Sequence, residues 1–222
     1  MVTPDSLTFL IDDDASVRKG VSRLLRSAGH KSEAFESASD FLTREQHAGP
    51  ACLIVDVRMP GLNGMDLQET LIQRRREEQL IFVTGHGDIS MCAQAMKAGA
   101  VDSLTKPFRD DELLQCVERA LMRSAEQRKR STERNEARRL LDLLTPREFE
   151  VMQLVVTGML NKQIAGELGR AEKTVKVHRG RMMQKMRVTS VAELVRLTER
   201  ACVAAAARHE TKVSYSFGER RA

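Results

Sequence analysis

Four stretches in the first half of this 222-residue chain end in polar side chains that could do chemistry together. The apolar run Cys52-Leu-Ile-Val stops at Asp56, and Pro60, Gly61 and Gly64 then break the chain. Leu7-Thr-Phe-Leu-Ile11 runs straight into Asp12-Asp13-Asp14, Leu80-Ile-Phe-Val ends at Thr84, and Lys106 stands just behind Val101-Asp-Ser-Leu104. Three of these carboxylates, Asp12, Asp13 and Asp56, brought together repel one another unless a divalent cation sits among them, and oxygen ligands with retained waters suit Mg²⁺. Lys106 could then hold a phosphoryl oxygen and Thr84 donate to another. Asp56 reads as a carboxylate nucleophile activated toward phosphoryl transfer by metal and fixed cation. An aspartate behind an apolar run can also simply open a turn, and an acidic pocket can bind metal without chemistry. Repetition of the pattern behind several strands favours the chemical reading.

For these side chains to meet, the runs must be parallel strands whose carboxyl ends share one rim. Continuous apolar runs are characteristic of parallel sheets covered on both faces, and functional groups collect at the carboxyl ends. Val17, Val21, Leu24, Leu25 and Ala28 fall at helical spacing, and Gly29 closes that helix. A weak strand around Lys31 to Phe35, a helix near Ser39 to Arg44, the strand into Asp56 and a helix through Leu67, Leu71 and Ile72 continue the alternation. Leu80 to Thr84 is then a strand, Ser90 to Ala98 a helix closed by Gly99, Val101 to Leu104 a strand, and Asp110 onward a helix. Strict alternation predicts a doubly wound, parallel five-stranded α/β sheet with right-handed crossovers.

Charge divides the chain. Residues 1–125 hold 15 Lys+Arg against 19 Asp+Glu, whereas residues 126–222 hold 21 against 12. An acidic part joined to a basic one implies two jobs, the basic one meeting nucleic acid or an anionic surface. Cys52, Cys92, Cys116 and Cys202 have neither paired spacing nor a nearby His in metal-site geometry, so no disulfide framework or zinc site is indicated. The N-terminus lacks a basic region followed by an apolar run of signal length, and no stretch approaches the about 20 apolar residues of a membrane span. A cytoplasmic protein with no membrane partner is expected.

From Asp110 to Leu144 there is neither Gly nor Pro, and helix-forming residues dominate. The apolar stripe of Leu114, Val117 and Leu121 fades by Ala125, so residues 126–141 read as a solvated helical linker without a coiled-coil seam. Arg128-Lys129-Arg130 could touch phosphates, but such a run more often forms a solvated face. Beyond it, Thr145-Pro146-Arg147-Glu148 is a capping box with proline at the first helical position. The helix it opens carries Val151, Met152 and Val155 and ends at Gly158. Asn161 is expected to cap a short helix holding Ile164, Ala165 and Leu168, with Gly169 turning the chain. A third helix, Glu172 to Met186, should bury Val175, Met182 and Met186 and expose Lys176, Arg179, Arg181 and Lys185. Ser190 to Glu193 reads as a second capping box, opening a helix through Leu194, Val195 and Leu197 to the Ala204–Ala207 run. Four short helices with a cationic third one resemble a helix-turn-helix unit. Residues 207–222, with Arg208, Lys212, Arg220 and Arg221, read as a basic tail.

Asp12-Asp13, Asp56 in Asp-x-Arg-Met-Pro-Gly, Thr84 in Thr-Gly-His-Gly-Asp and Lys106-Pro107-Phe108 together resemble the receiver domain of bacterial two-component response regulators. The resemblance implies a flavodoxin-like fold over residues 1–125 and a phosphoryl group passed from a sensor histidine kinase to Asp56. It further implies Mg²⁺ held by Asp13, Asp56 and the Arg58 carbonyl, with Asp12 helping through water. Thr84 and Lys106 would contact the phosphoryl oxygens, and the Lys106–Pro107 bond would be cis, a state that X-Pro bonds tolerate. Leu144-Thr-Pro-Arg-Glu148, Asn161-Lys-Gln-Ile-Ala165 and Thr174-Val-Lys-Val-His178 resemble the LuxR-type DNA-binding domain, placed at residues 142–206. The whole chain is thus similar to NarL/FixJ-type response regulators. By that resemblance Lys176 and Val177 meet base edges, while Lys162, Thr174, Arg179 and Arg181 mostly hold phosphates. The implied partners are promoter DNA with paired half-sites, a second copy of the phosphorylated chain, and RNA polymerase.

Three residues depart from the pattern. Ser103, three residues before Lys106, replaces the aromatic that such receivers use in coupling Thr84 to their output face. Ala171 replaces a Ser or Thr helix cap, forfeiting about 1 kcal/mol. Gly180 stands where some relatives carry a base-contacting Lys. An aspartate-nucleophile phosphohydrolase of the haloacid dehalogenase type also uses an aspartyl phosphate and Mg²⁺. That class needs a second Asp two residues after the nucleophile, where this chain has Arg58. The expectation is therefore a phosphoacceptor that takes part in its own phosphotransfer, not an enzyme; a module that only sequesters a kinase would not need the cationic third helix.

Overall fold

The computed structural model describes residues 5–85 and 95–202. Of the helix expected from Ser90 to Ala98, helix is present at 95–97 and Ala98 lies in a turn; residues 90–94, together with His86, the Ala204–Ala207 run and the tail 207–222, lie outside the described residues. The chain divides into two units, residues 1–129 and 130–222.

In the first unit, alternate residues of each apolar run point to opposite faces of one sheet, as a period of two requires. Phe9, Ile11, Leu53, Val55 and Phe82 enter one core with Phe41, Leu67 and Leu71. Leu10, Ile54, Ile81 and Val83 enter the other with Val21, Leu25, Leu113, Val117 and Leu121. The strands are β1 (Leu7–Ile11), β2 (Ser32–Phe35), β3 (Ala51–Asp56), β4 (Gln79–Thr84) and β5 (Asp102–Thr105). They lie in the order β2-β1-β3-β4-β5 and every pairing is parallel. Helices α1 (Ala15–Ser27), α2 (Ala38–Thr43) and α3 (Gly64–Gln73) fill the crossovers. The doubly wound fold is as the alternation predicted.

Ile11 pairs with Val55, Val55 with Phe82, and Phe82 with Ser103. The chain therefore leaves β1 and β3 side by side, at Asp12 and Asp56, where the strand order reverses. Such a reversal opens a crevice at the carboxyl ends of the strands. One detail of α3 differs from its periodicity: Ile72 is 59% exposed, and the buried face is Leu67, Gln68 and Leu71.

Helix α4 (Asp110–Asp142) begins on the second core and continues along the amino ends of the strands. The buried Ser124 Oγ accepts the Ala51 N–H at 3.0 Å. Gln127 meets the Gln79 amide at 3.0 Å. Arg128, expected on a solvated face, instead donates to the carbonyls of His47 (3.1 Å) and Ala48 (2.7 Å). An extended fork with several donors suits two adjacent carbonyls. Further along α4, Ala137 and Leu140 are buried.

The second unit packs α5 (Pro146–Val156), α6 (Asn161–Glu167), α7 (Glu172–Lys185) and α8 (Val191–Cys202) around Val151, Met152, Val155, Ile164, Val175, Met182, Met186 and Leu194. The capping box at Thr145 and Glu148 is present in both directions. Three local expectations need correction. Leu160, not Asn161, is the cap of α6 and lends no side-chain hydrogen bond; the Gln163 amide oxygen turns back to accept the Leu160 N–H at 2.8 Å. Lys185 and Arg179, both expected to be exposed, are half-buried: the Lys185 ammonium bonds Glu148 (2.6 Å) and the Leu143 carbonyl (3.1 Å), and the Arg179 guanidinium bonds Asn161. At the start of α8, Glu193 accepts from the Thr189 N–H at 2.7 Å, one residue ahead of the expected Ser190 partner, while Ser190 Oγ accepts the Glu193 N–H at 3.2 Å. Among the described residues no helix is long and apolar enough to cross a membrane.

Candidate functional site

Of the three consecutive aspartates, the turn assigns each a different task. Asp14 caps α1: its carboxylate accepts the Ser16 N–H at 2.7 Å and the Val17 N–H at 3.4 Å, bonds that hold its pKa below the ordinary carboxylate value. Asp12 is buried, with Oδ1 accepting the Asp14 N–H at 2.9 Å. Asp13 is exposed beside it. The Arg18 guanidinium donates to the carbonyls of Asp12 (2.7 Å) and Asp13 (2.9 Å), which fixes the backbone of the acidic turn from the first helix behind it.

Across the strand reversal, Asp56 Oδ1 accepts the Arg58 N–H at 3.0 Å. The Lys106 ammonium reaches over the end of β4 to Asp56 Oδ2 at 2.6 Å and Asp12 Oδ2 at 2.8 Å. Burial pulls the Lys106 pKa down, but hydrogen bonds to Asp12 and Asp56 and their charges outweigh it, so the pKa lies above the ordinary lysine value. Its backbone is pinned too: the Lys106 N–H donates to the Thr84 carbonyl at 2.7 Å, and the Lys106–Pro107 bond is cis. Thr84 is buried at the same rim, with Oγ1 3.2 Å from the Gly85 carbonyl. All five side chains expected at the rim are brought together, and Ser103 stands one row below, beside Phe82.

Asp12, Asp13 and Asp56 each offer an oxygen, and these lie within 4.8 Å of one another. Opposite oxygens around an octahedral Mg²⁺ stand about 4.2 Å apart, given bond lengths of about 2.1 Å. The donor set, three carboxylates and no nitrogen or sulfur, suits a hard cation, so the residues present fit Mg²⁺. Arg58 is exposed two residues past Asp56.

Gly64, at the head of α3, keeps this rim closely packed. A Cβ there would stand 2.8 Å from the Asp56 carbonyl oxygen and 3.0 Å from the Phe82 ring.

On the second unit, α7 turns Val175 and Met182 inward. Thr174, Lys176, Val177 and Arg181 are exposed along it, and Lys162 is exposed on α6. Val177, an apolar side chain 46% exposed on this helix, has the methyl groups to meet a thymine methyl. Arg179 is half-buried, and its Nη1 donates to Asn161 Oδ1 at 2.9 Å. Ala171 is the cap of α7 and gives no side-chain hydrogen bond, while Gly180 faces open space.

Sequence reasoning missed Arg18, Gly64 and Asn161 as site residues. Arg18 carried one usable signal, a cation four residues behind Asp14 on the helix that follows the acidic turn. Gly64 carried none beyond its type, because its need comes from the approach of α3 to the end of β3.

The geometry has counterparts among known proteins. The family model described as response regulator receiver domain matches residues 8–118, and that described as bacterial regulatory proteins, luxR family, matches residues 142–198. The chain is 44% identical over 208 residues to nodulation protein W of Bradyrhizobium diazoefficiens, covering 94% of this chain and 92% of the relative. It is 45% identical over 195 residues to response regulator protein TodT of Pseudomonas putida, covering 88% and 86%. Among solved structures, the response regulator StyR matches with 47% identity and a TM-score of 0.80 over 88% of this chain and 99% of that one. Full-length FixJ from B. japonicum matches with 36% identity and a TM-score of 0.55 over 90% and 99%. With both family models in order along one chain, this protein belongs to the response regulators that join a receiver domain to a LuxR-type DNA-binding domain, and it is a regulator of transcription.

Proposed function

We propose that Asp56 accepts a phosphoryl group from a sensor histidine kinase in a Mg²⁺-dependent step, and that the phosphorylated chain dimerises and binds paired half-sites in promoter DNA. The observation that carries this reading is the Lys106 ammonium lodged between Asp12 and Asp56, at 2.8 and 2.6 Å, beside a third carboxylate. In the transfer, a carboxylate oxygen of Asp56 attacks phosphorus as the P–N bond to the kinase histidine breaks, and the imidazole leaves with the electron pair. Asp12, Asp13, Asp56 and the Arg58 carbonyl would hold Mg²⁺, which when bound offsets charge on the transferring group. Lys106 exchanges a carboxylate partner for a phosphoryl oxygen, and Thr84 turns its hydroxyl from the Gly85 carbonyl to another. The chain is a phosphoacceptor that participates in its own phosphorylation and dephosphorylation rather than an enzyme acting on a separate substrate.

On DNA, α7 enters the major groove with Lys176 and Val177 at base edges, while Lys162, Thr174, Arg179 and Arg181 hold phosphates. The protein acts in the cytoplasm, where RNA polymerase is its further partner. Sizing and gel-shift measurements with and without a small phosphodonor and Mg²⁺ test the proposal. Phosphodonor should raise dimer fraction and DNA affinity together in the parent, and leave Asp56→Asn unchanged. Lys176→Ala should weaken specific binding by about 1–3 kcal/mol and relax one position of the site. Uniform weakening on every sequence would move Lys176 to the phosphate-contacting set.

A further inference from the structure

We infer that Asn161 is a positioning residue for DNA binding: from the first turn of α6 it fixes the Arg179 guanidinium of α7 in the orientation that meets a backbone phosphate. The inference rests on the reading that α7 binds DNA and that Arg179 contacts a phosphate. Leu160 occupies the cap of α6 and the Gln163 amide oxygen accepts its N–H, so capping does not explain Asn161. Its side-chain oxygen instead accepts from Arg179 Nη1 at 2.9 Å, bridging the two helices. Among the described residues, Asn161 is the one hydrogen-bond partner of that guanidinium. Arginine offers five N–H donors in a rigid fork, so a single bond to a neutral amide orients the plane and leaves the remaining donors and the full charge for an anion. A neutral acceptor is what such a task requires, since a carboxylate would orient the fork equally well but cancel its charge.

Holding a long side chain before binding spares part of the ordering cost otherwise met on the DNA, about two- to tenfold in affinity for one side chain. Because a phosphate contact carries no sequence information, a mixed-sequence duplex is a sufficient probe.

The test is a double-mutant cycle on the full chain, with salt titrations and with NMR relaxation of the Arg179 side-chain N–H groups in the DNA-free protein. Asn161→Ala should disorder Arg179 and lower affinity about two- to tenfold with the salt slope kept, since the arginine still reaches its phosphate. Arg179→Ala should flatten the slope by about one unit, and adding Asn161→Ala to it should change nothing further. Asn161→Asp should keep Arg179 ordered yet weaken binding and flatten the slope. Equal effects of Asn161→Ala in the presence and absence of Arg179 would overturn the positioning role, as would an Arg179 that stays ordered without Asn161. An Arg179→Ala protein that binds like the parent would instead overturn the phosphate reading beneath it.

Discussion

The cluster at the carboxyl ends of the strands depends on side chains that bridge neighbours, Lys106 between Asp12 and Asp56 and Arg18 across the Asp12 and Asp13 carbonyls, and on one residue without a side chain. Gly64 lies against the backbone of Asp56, and an added methyl would lie 2.8 Å from the Asp56 carbonyl oxygen. Backbone cannot give way as a flexible side chain does, so Gly64→Ala should destabilise the receiver by about 1–3 kcal/mol and slow phosphorylation of Asp56. Thermal melts and labelling rates read the two effects; a variant as stable and as fast as the parent would sink the packing argument. The aspartates, Thr84 and Lys106 were legible in the sequence because each stands at or just past a strand end and their residue types, repeated behind several strands, suit one phosphoryl site. Arg18, Gly64 and Asn161 were not, because their partners are carbonyls and amides supplied by other segments. Nothing in the residue types at 161 and 179 announces a bond across 18 positions. Asp14 has the same residue type as its two neighbours, yet its carboxylate is committed to capping α1.

At the level of elements, strands were read within one or two residues and the caps less well. Continuous apolar runs leave little freedom in where a buried strand lies, whereas helix ends depend on single side chains. Capping chemistry was legible at Thr145 and Glu148, but the sequence did not show that Lys185 completes that box. Lys185, then the Thr145 amide and hydroxyl, hold the Glu148 carboxyl down at about 2 from an ordinary 4.5, against the opposing effect of burial. A lowered carboxyl stabilises the fold above the ordinary value and loses that stability as pH falls, here between about 4.5 and 2. Glu148→Gln should therefore lower stability by about 1–2 kcal/mol at neutral pH, discounted for solvent around Lys185, and flatten acid sensitivity in that window. Unchanged acid sensitivity of the DNA-binding unit in that variant would reject the assignment. On β5, Ser103 brings no ring to the row it shares with Phe82. A two-state element can be biased only by a differential free energy between its states, so the missing ring should shrink the coupling from Asp56 to DNA affinity. Ser103→Phe should widen the ratio of phosphorylated to unphosphorylated affinity in paired titrations at fixed salt; an unchanged ratio would show that the signal leaves by another route.

In the whole molecule, the acidic part of the chain contains the matched receiver domain and the basic part the matched LuxR-type domain. That division was visible from charge alone, and the order of motifs made it specific. The connector was read correctly as helix and incompletely as solvent-exposed. Its polar residues satisfy carbonyls and amides of the receiver near Arg128, and its sparse apolar ones, Ala137 and Leu140, are buried further along. Polar composition predicts exposure only where no backbone acceptors lie within reach. Whether the cluster around Lys106 makes Asp56 a phosphoryl acceptor is read by intact-mass and peptide-level mass spectrometry after incubation with acetyl phosphate and Mg²⁺. One phosphoryl group on Asp56 is predicted, absent without Mg²⁺ and lost in Asp56→Asn and Asp13→Ala. Equal labelling of Asp56→Asn at the native rate would contradict the account.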